Sequence, residues 1–113
     1  MHTLCCQFQI DRLVMITEAQ VNEICLALAA QIPKVTFESG EDDGRYVNLF
    51  VDSVDAVAIW NSIETILLSD RMIGPEVRTA SIVTITGPNG WDDYFLLHHF
   101  DPTEPLDTIE NSG

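Results

Sequence analysis

His98 and His99 stand side by side, followed by Phe100 and Asp101, and are the first residues whose types suggest metal binding or proton transfer. Adjacent residues on a strand project to opposite faces, so one ion would take a single imidazole, with Asp101 and ligands from elsewhere. His2 lies next to the N-terminus, and Cys5, Cys6 and Cys25 lack the C-x-x-C spacing of a zinc site. No metal and no cofactor are expected. One histidine packed beneath a helix and one exposed is the structural account of the pair, and either would be placed to sense pH. Cys5, Cys6 and Ser81 are the nucleophiles that a histidine base would need, yet no G-x-S-x-G elbow and no phosphate-cradling glycine loop surrounds them. The carboxylate pairs Asp42-Asp43 and Asp92-Asp93, which could do acid–base work, fall at expected turns, where solvated carboxylates are the simpler account. A protein that is not an enzyme is therefore expected.

Charge is the stronger signal. Eighteen Asp and Glu stand against five Lys and Arg, a formal net charge of -13, and no Lys or Arg follows Arg78. Such a field repels phosphate backbones and anionic lipid, which argues against direct nucleic-acid or membrane binding, and it steers association with a basic protein. The candidate partner-binding residues are Glu41, Asp42 and Asp43 in one turn and Trp91, Asp92, Asp93 and Tyr94 in another, with Trp91 and Tyr94 as aromatic anchors. The competing account is that the acids keep a small domain soluble and that Trp91 folds over the core.

The expected function is that of a small acidic inhibitor of a basic protein. Its class would be that of bacterial immunity proteins, which neutralise nuclease toxins by occluding the active site. Carboxylates would replace substrate phosphates against Lys and Arg. The alternative is a dimeric ferredoxin-like regulatory or ligand-binding domain that uses its uncovered sheet face. There, polar Gln7, Gln9 and Asn48 suit solvent, and a contiguous apolar patch would favour a homodimer. Three cysteines cannot all pair within one chain, and no stretch of 18 apolar residues or signal-type N-terminus occurs, so a soluble chain in a reducing cytoplasm is expected.

The elements that must position these residues follow from periodicity. Residues 3–10 alternate, with Leu4, Cys6, Phe8 and Ile10 on one face, and read as strand β1. Thr17 and Gln20 form a capping box for a helix that buries Val21, Ile24, Cys25, Leu28 and Ile32 and stops at Pro33. Strands over 34–39 and 45–52 flank the acidic turn 40–44. Residues 53–70 hold the longest helical stripe, Ile59, Ile63, Ile66 and Leu67, with Ser53 as the expected N-cap; sixteen helical residues reach roughly 24 Å, enough to cross a four- or five-stranded sheet. An irregular connection over 71–77, a strand over 79–86, a turn at 87–90 and a strand over 94–100 complete the body.

The expected class is α+β. Its order β-α-β-β-α-β-β is that of a ferredoxin-like unit with an added fifth strand: with 34–39, 45–52, 79–86 and 94–100 as β2 to β5, an antiparallel sheet ordered β5-β4-β1-β3-β2, with two helices on one face. Residues 1–100 are read as one domain. Residues 101–113, with Pro102, Pro105 and four spaced acids, are read as an acidic flexible tail.

Overall fold

The computed structural model describes residues 2–32, 34–68, 73–87 and 90–107; the side chains of residues 87 and 90–93 are outside that description. Leu4, Cys6 and Phe8 alternate along β1 (His2–Gln9) and are fully buried, whereas Cys5, Gln7 and Gln9 are half-buried on the opposite face. β1 lies at the centre of an antiparallel sheet ordered β2 (Val35–Glu41), β3 (Arg45–Ser53), β1, β4 (Ser81–Gly87), β5 (Gly90–His98). Read from its other edge, that order is β5-β4-β1-β3-β2.

The register carries the buried face across the sheet. Leu4 is opposite Val51 and Ile85, Cys6 opposite Leu49 and Val83, and Phe8 opposite Val47 and Ser81. All of these are buried. The helix α1 (Glu18–Gln31) lays Val21, Cys25 and Leu28 against β2 and β3, and α2 (Ala56–Ile63) lays Ile59 and Ile63 against β1 and β3. Both bonds of the capping box hold the start of α1: the Gln20 N–H donates to Thr17 Oγ1 at 3.3 Å, and the Thr17 N–H donates to Gln20 Oε1 at 2.9 Å. No described helix is long and apolar enough to cross a membrane.

The continuous helix expected over 53–70 is divided. Ser53 remains in β3, paired with His2, so the N-cap is Asp55, whose Oδ1 accepts the Ala58 N–H at 3.0 Å. From Glu64 to Leu68 the backbone opens into a π turn. In that wider winding residue i+5 returns over residue i, which carries Leu68 round to the face of Ile63 beside Leu67, and both leucines are buried. Residues 69–72, the expected helix end and the start of the irregular connection, are outside the described residues.

From Gly74 onward the connection is a third helix, α3 (Gly74–Ala80), rather than irregular chain. Pro75 falls in its first turn, where a missing N–H breaks no bond, so the Gly-Pro pair starts a helix here instead of interrupting chain. Gly74 is required by proximity: a Cβ on it would stand 2.6 Å from the Leu68 carbonyl oxygen. The Arg78 Nε–H donates to that same oxygen at 2.8 Å and ties α3 to the end of the π turn.

The last hairpin is displaced from its expected bounds. Gly87 pairs with Gly90, so the turn closes there and β5 runs over 90–98 instead of 94–100, while α3 holds residues 79 and 80 that were expected to begin β4. Beyond β5, Asp107 bonds twice to Leu96: its N–H donates to the Leu96 carbonyl and its Oδ2 accepts the Leu96 N–H, each at 2.8 Å.

Ile63 is fully buried at the centre of this arrangement. Ile63→Asp places an unpaired carboxylate there, at an expected cost of roughly 3 kcal/mol or more. Thermal melting followed by far-UV circular dichroism should show a large loss of midpoint; an unchanged midpoint would remove Ile63 from the core.

Candidate protein-binding surface

The turn between β2 and β3 depends on backbone conformations that few residues adopt. Asp43 and Gly44 have φ of 57° and 131°, and the Asp42 N–H donates to the Gly44 carbonyl at 3.0 Å. Aspartate tolerates the left-handed region and glycine enters the wider positive-φ region freely. Gly44 is also pressed against the short 3-10 turn Ile10–Arg12 that ends β1, since a Cβ on it would stand 2.8 Å from Asp11 Oδ2. Two distant segments thus place the exposed carboxylates of Asp11, Glu41, Asp42 and Asp43 at one end of the sheet.

The cations at this end are already engaged. Arg45 holds Glu18 through two bonds, Nε to Oε1 at 2.9 Å and Nη2 to Oε2 at 2.6 Å. That hydrogen-bonded pair lowers the Glu18 pKa and raises that of Arg45, so both stay charged. The Arg12 guanidinium lies 3.6 Å from the centroid of the Phe100 ring, and its Nε–H donates to Gln9 Oε1 at 3.1 Å. Between these groups a groove of about 540 Å³ opens on the uncovered sheet face, bordered by Asp11, Asp42 and Asp43 and floored by Gln7, Gln9 and Asn48. Gln9 Nε2 donates to Gln7 Oε1 at 3.2 Å. Asn48 Oδ1 is covered and has no hydrogen-bond partner among the described residues, which leaves the floor polar and incompletely satisfied.

The chain leaving this end is pinned by a residue sixty positions away. Glu76, in the first turn of α3, accepts the backbone N–H groups of Val14, Met15 and Ile16 at one oxygen; the Met15 and Ile16 bonds are 2.6 and 3.0 Å. The Ile16 bond above all, opposed by partial desolvation and helped by Met15 and Val14, holds the Glu76 carboxyl below its ordinary 4.5. Asp11, Glu76 and this loop were not found from sequence. Their signal is spread over residues that only the fold brings together.

The second acidic stretch lies elsewhere. Residues 91–94 belong to β5 and not to a turn, because the hairpin closes at Gly87 and Gly90. The side chains of Trp91, Asp92 and Asp93 are outside the described residues. Tyr94 is 59% exposed and lines a second concavity of about 330 Å³ on the uncovered face, with Thr3, Cys5, Phe50, Thr84 and Thr86. Gln9 pairs with Tyr46 near the β2–β3 turn, whereas Leu4 pairs with Ile85 near the β4–β5 turn. The two turns are therefore at opposite ends of the sheet, about 20 Å apart along the strands, and do not meet in one patch.

Of the histidines and candidate nucleophiles, His98 and Ser81 each bond a backbone carbonyl of α3. A carbonyl can only accept, so the 2.8 Å bond from His98 Nε2 to the Arg78 carbonyl fixes the proton on Nε2; burial lowers the pKa of the ring. His99 stacks on Phe100, and its Nδ1 accepts the Asp101 N–H. Ser81 is buried and donates to the Val77 carbonyl at 2.6 Å. The three cysteines are free thiols; burial pushes Cys5 and Cys25 up to about 11 and Cys6 further still, so none rests as a thiolate. Among the described residues no three His, Cys, Asp or Glu side chains gather as metal ligands.

Glu76 gives this surface a pH signature. A carboxylate with a depressed folded pKa contributes stability that is present above its unfolded value and lost as pH falls through the folded one. The amide resonances of Val14, Met15 and Ile16 should titrate together with a midpoint below 4.5, and Glu76→Gln should abolish that titration. A midpoint at or above 4.5 would mean that the carboxylate does not hold the loop. Compared with known proteins, the chain matches no family model, no curated protein and no solved structure.

Proposed function

We propose that this chain is a ferredoxin-like domain with an added edge strand that acts as an acidic inhibitor of a basic protein. The class that fits is the immunity-type protein that neutralises a nuclease toxin by covering its active site. The observation carrying this reading is the end of the sheet where exposed Asp11, Asp42 and Asp43 line a polar groove, with exposed Glu41 next to them in the chain, while the two arginines that also line it are engaged within the chain, Arg45 by Glu18 and Arg12 by Gln9 and the Phe100 ring. A cleft that binds phosphates with Lys and Arg would accept these carboxylates through charge-assisted bonds. The net charge of -13 would draw the two proteins together before contact.

Glu41, Asp42 and Asp43 remain the partner-binding residues in this reading, and Asp11 joins them. Trp91, Asp92, Asp93 and Tyr94, at the other end, would form a separate contact. Free thiols throughout suit a reducing compartment such as the bacterial cytoplasm. A second reading, the dimeric regulatory or ligand-binding domain, draws on the concavity lined by Cys5, Phe50 and Tyr94 on the uncovered face. A monomer at high concentration in analytical ultracentrifugation would remove its dimeric form.

The test is binding kinetics against the basic protein that copurifies with the chain. Association should slow by about tenfold or more between low and physiological salt, with a much smaller change in dissociation. The pair Asp42→Asn and Asp43→Asn should slow association several-fold and leave the thermal midpoint in place, because exposed turn carboxylates contribute little to the fold. Salt-independent association with an unaffected double variant would overturn the proposal.

A further inference from the structure

Resting on that reading of the acidic end, we propose that Val14 and Met15 are its apolar anchor, inserted into a shallow apolar depression flanked by Lys and Arg on the basic partner. Val14 is 89% and Met15 84% exposed, whereas Leu13 and Ile16 on either side pack against the core. Isolated exposed apolar residues are ordinary. These two are adjacent, and their backbone is not free to turn them inward, because three successive N–H groups from Val14 to Ile16 are held by the Glu76 carboxylate.

Both ends of the loop are fixed beside the acidic turn. It leaves from Asp11 and Arg12, against which Gly44 is packed, and it returns into α1, whose Glu18 is paired with Arg45. Val14 and Met15 therefore share an end of the molecule with Asp42 and Asp43. A loop fixed before contact loses little conformational freedom on binding, and an unbranched thioether adapts to an irregular depression. An apolar pair and a group of carboxylates at one end of the molecule suit a docking surface in which charge governs encounter and the desolvated pair governs residence. Charge chooses the occupant: a second copy, also at -13, and an anionic membrane are both repelled.

Two short peptides serve as probes in NMR titrations of the full chain, one alternating lysine with leucine and one alternating lysine with serine. The lysine–leucine peptide should shift the Val14 and Met15 methyls together with the Asp42 and Asp43 amides. The lysine–serine peptide should shift only the acidic turn and bind about tenfold more weakly. The double variant Val14→Ser, Met15→Ser should bring lysine–leucine binding down to the lysine–serine level without changing the latter. Glu76→Gln should weaken the first peptide several-fold and spare the second.

Unchanged lysine–leucine affinity in the serine variant, or shifts confined to the concavity at Cys5 and Phe50, would overturn the anchor and leave the acidic end standing. If neither peptide perturbs Asp42 and Asp43, the acidic end fails with it. Cosedimentation with phosphatidylcholine vesicles that the serine variant loses would also overturn the proposal, by giving the loop to lipid.

Discussion

The two-residue alternation of β1 is the constraint on which the other elements depend. Leu4, Cys6 and Phe8 point into the core from the central strand and meet buried residues of β3 on one side and β4 on the other. Each large apolar side chain buried in this way contributes about 1.5–3 kcal/mol relative to exposure. A slip of one residue would turn Cys5, Gln7 and Gln9 inward and their apolar neighbours out, so the register is selected strongly. With β1 fixed, the helices have one face to cover, and the polar groove has to form on the other.

Local signals were legible where a few neighbouring residues settle the structure. The Thr17–Gln20 capping box, the alternation of β1 and the acidic turn between β2 and β3 all require only short stretches of chain. The helical stripe over 53–70 was legible as apolar but not as interrupted, because Ile59, Ile63 and Leu67 fit a straight helix and only the burial of Leu68 reveals the π winding. Gly74-Pro75 reads in sequence as a breaker. Its role at the start of α3 depends on contact with Leu68, which spacing does not show.

The candidate surface was half legible for the same reason. Glu41, Asp42 and Asp43 are contiguous, so their grouping could be read from the sequence. Asp11 joins them through the approach of Gly44, and Glu76 reaches the loop after Arg12 from more than sixty residues away. The second acidic stretch, equally visible in sequence, is carried by strand register to the opposite end of the sheet. Composition reports how much charge a chain has; topology decides which charges act as one group.

The two bonds between Asp107 and Leu96 have a bearing on how molecules of this chain meet one another. β5 is an outer strand of the sheet, and an outer strand offers unpaired backbone groups to any extended segment that approaches. By occupying both backbone groups of Leu96, Asp107 withdraws that position, near the end of the strand, from intermolecular pairing. The opposite margin, β2, carries exposed Glu38 and Glu41, whose like charges would face one another in an edge-to-edge pair. The sheet thus has one margin interrupted at Leu96 by its own chain and the other carrying like charges, two features that work against edge-to-edge growth into fibrils.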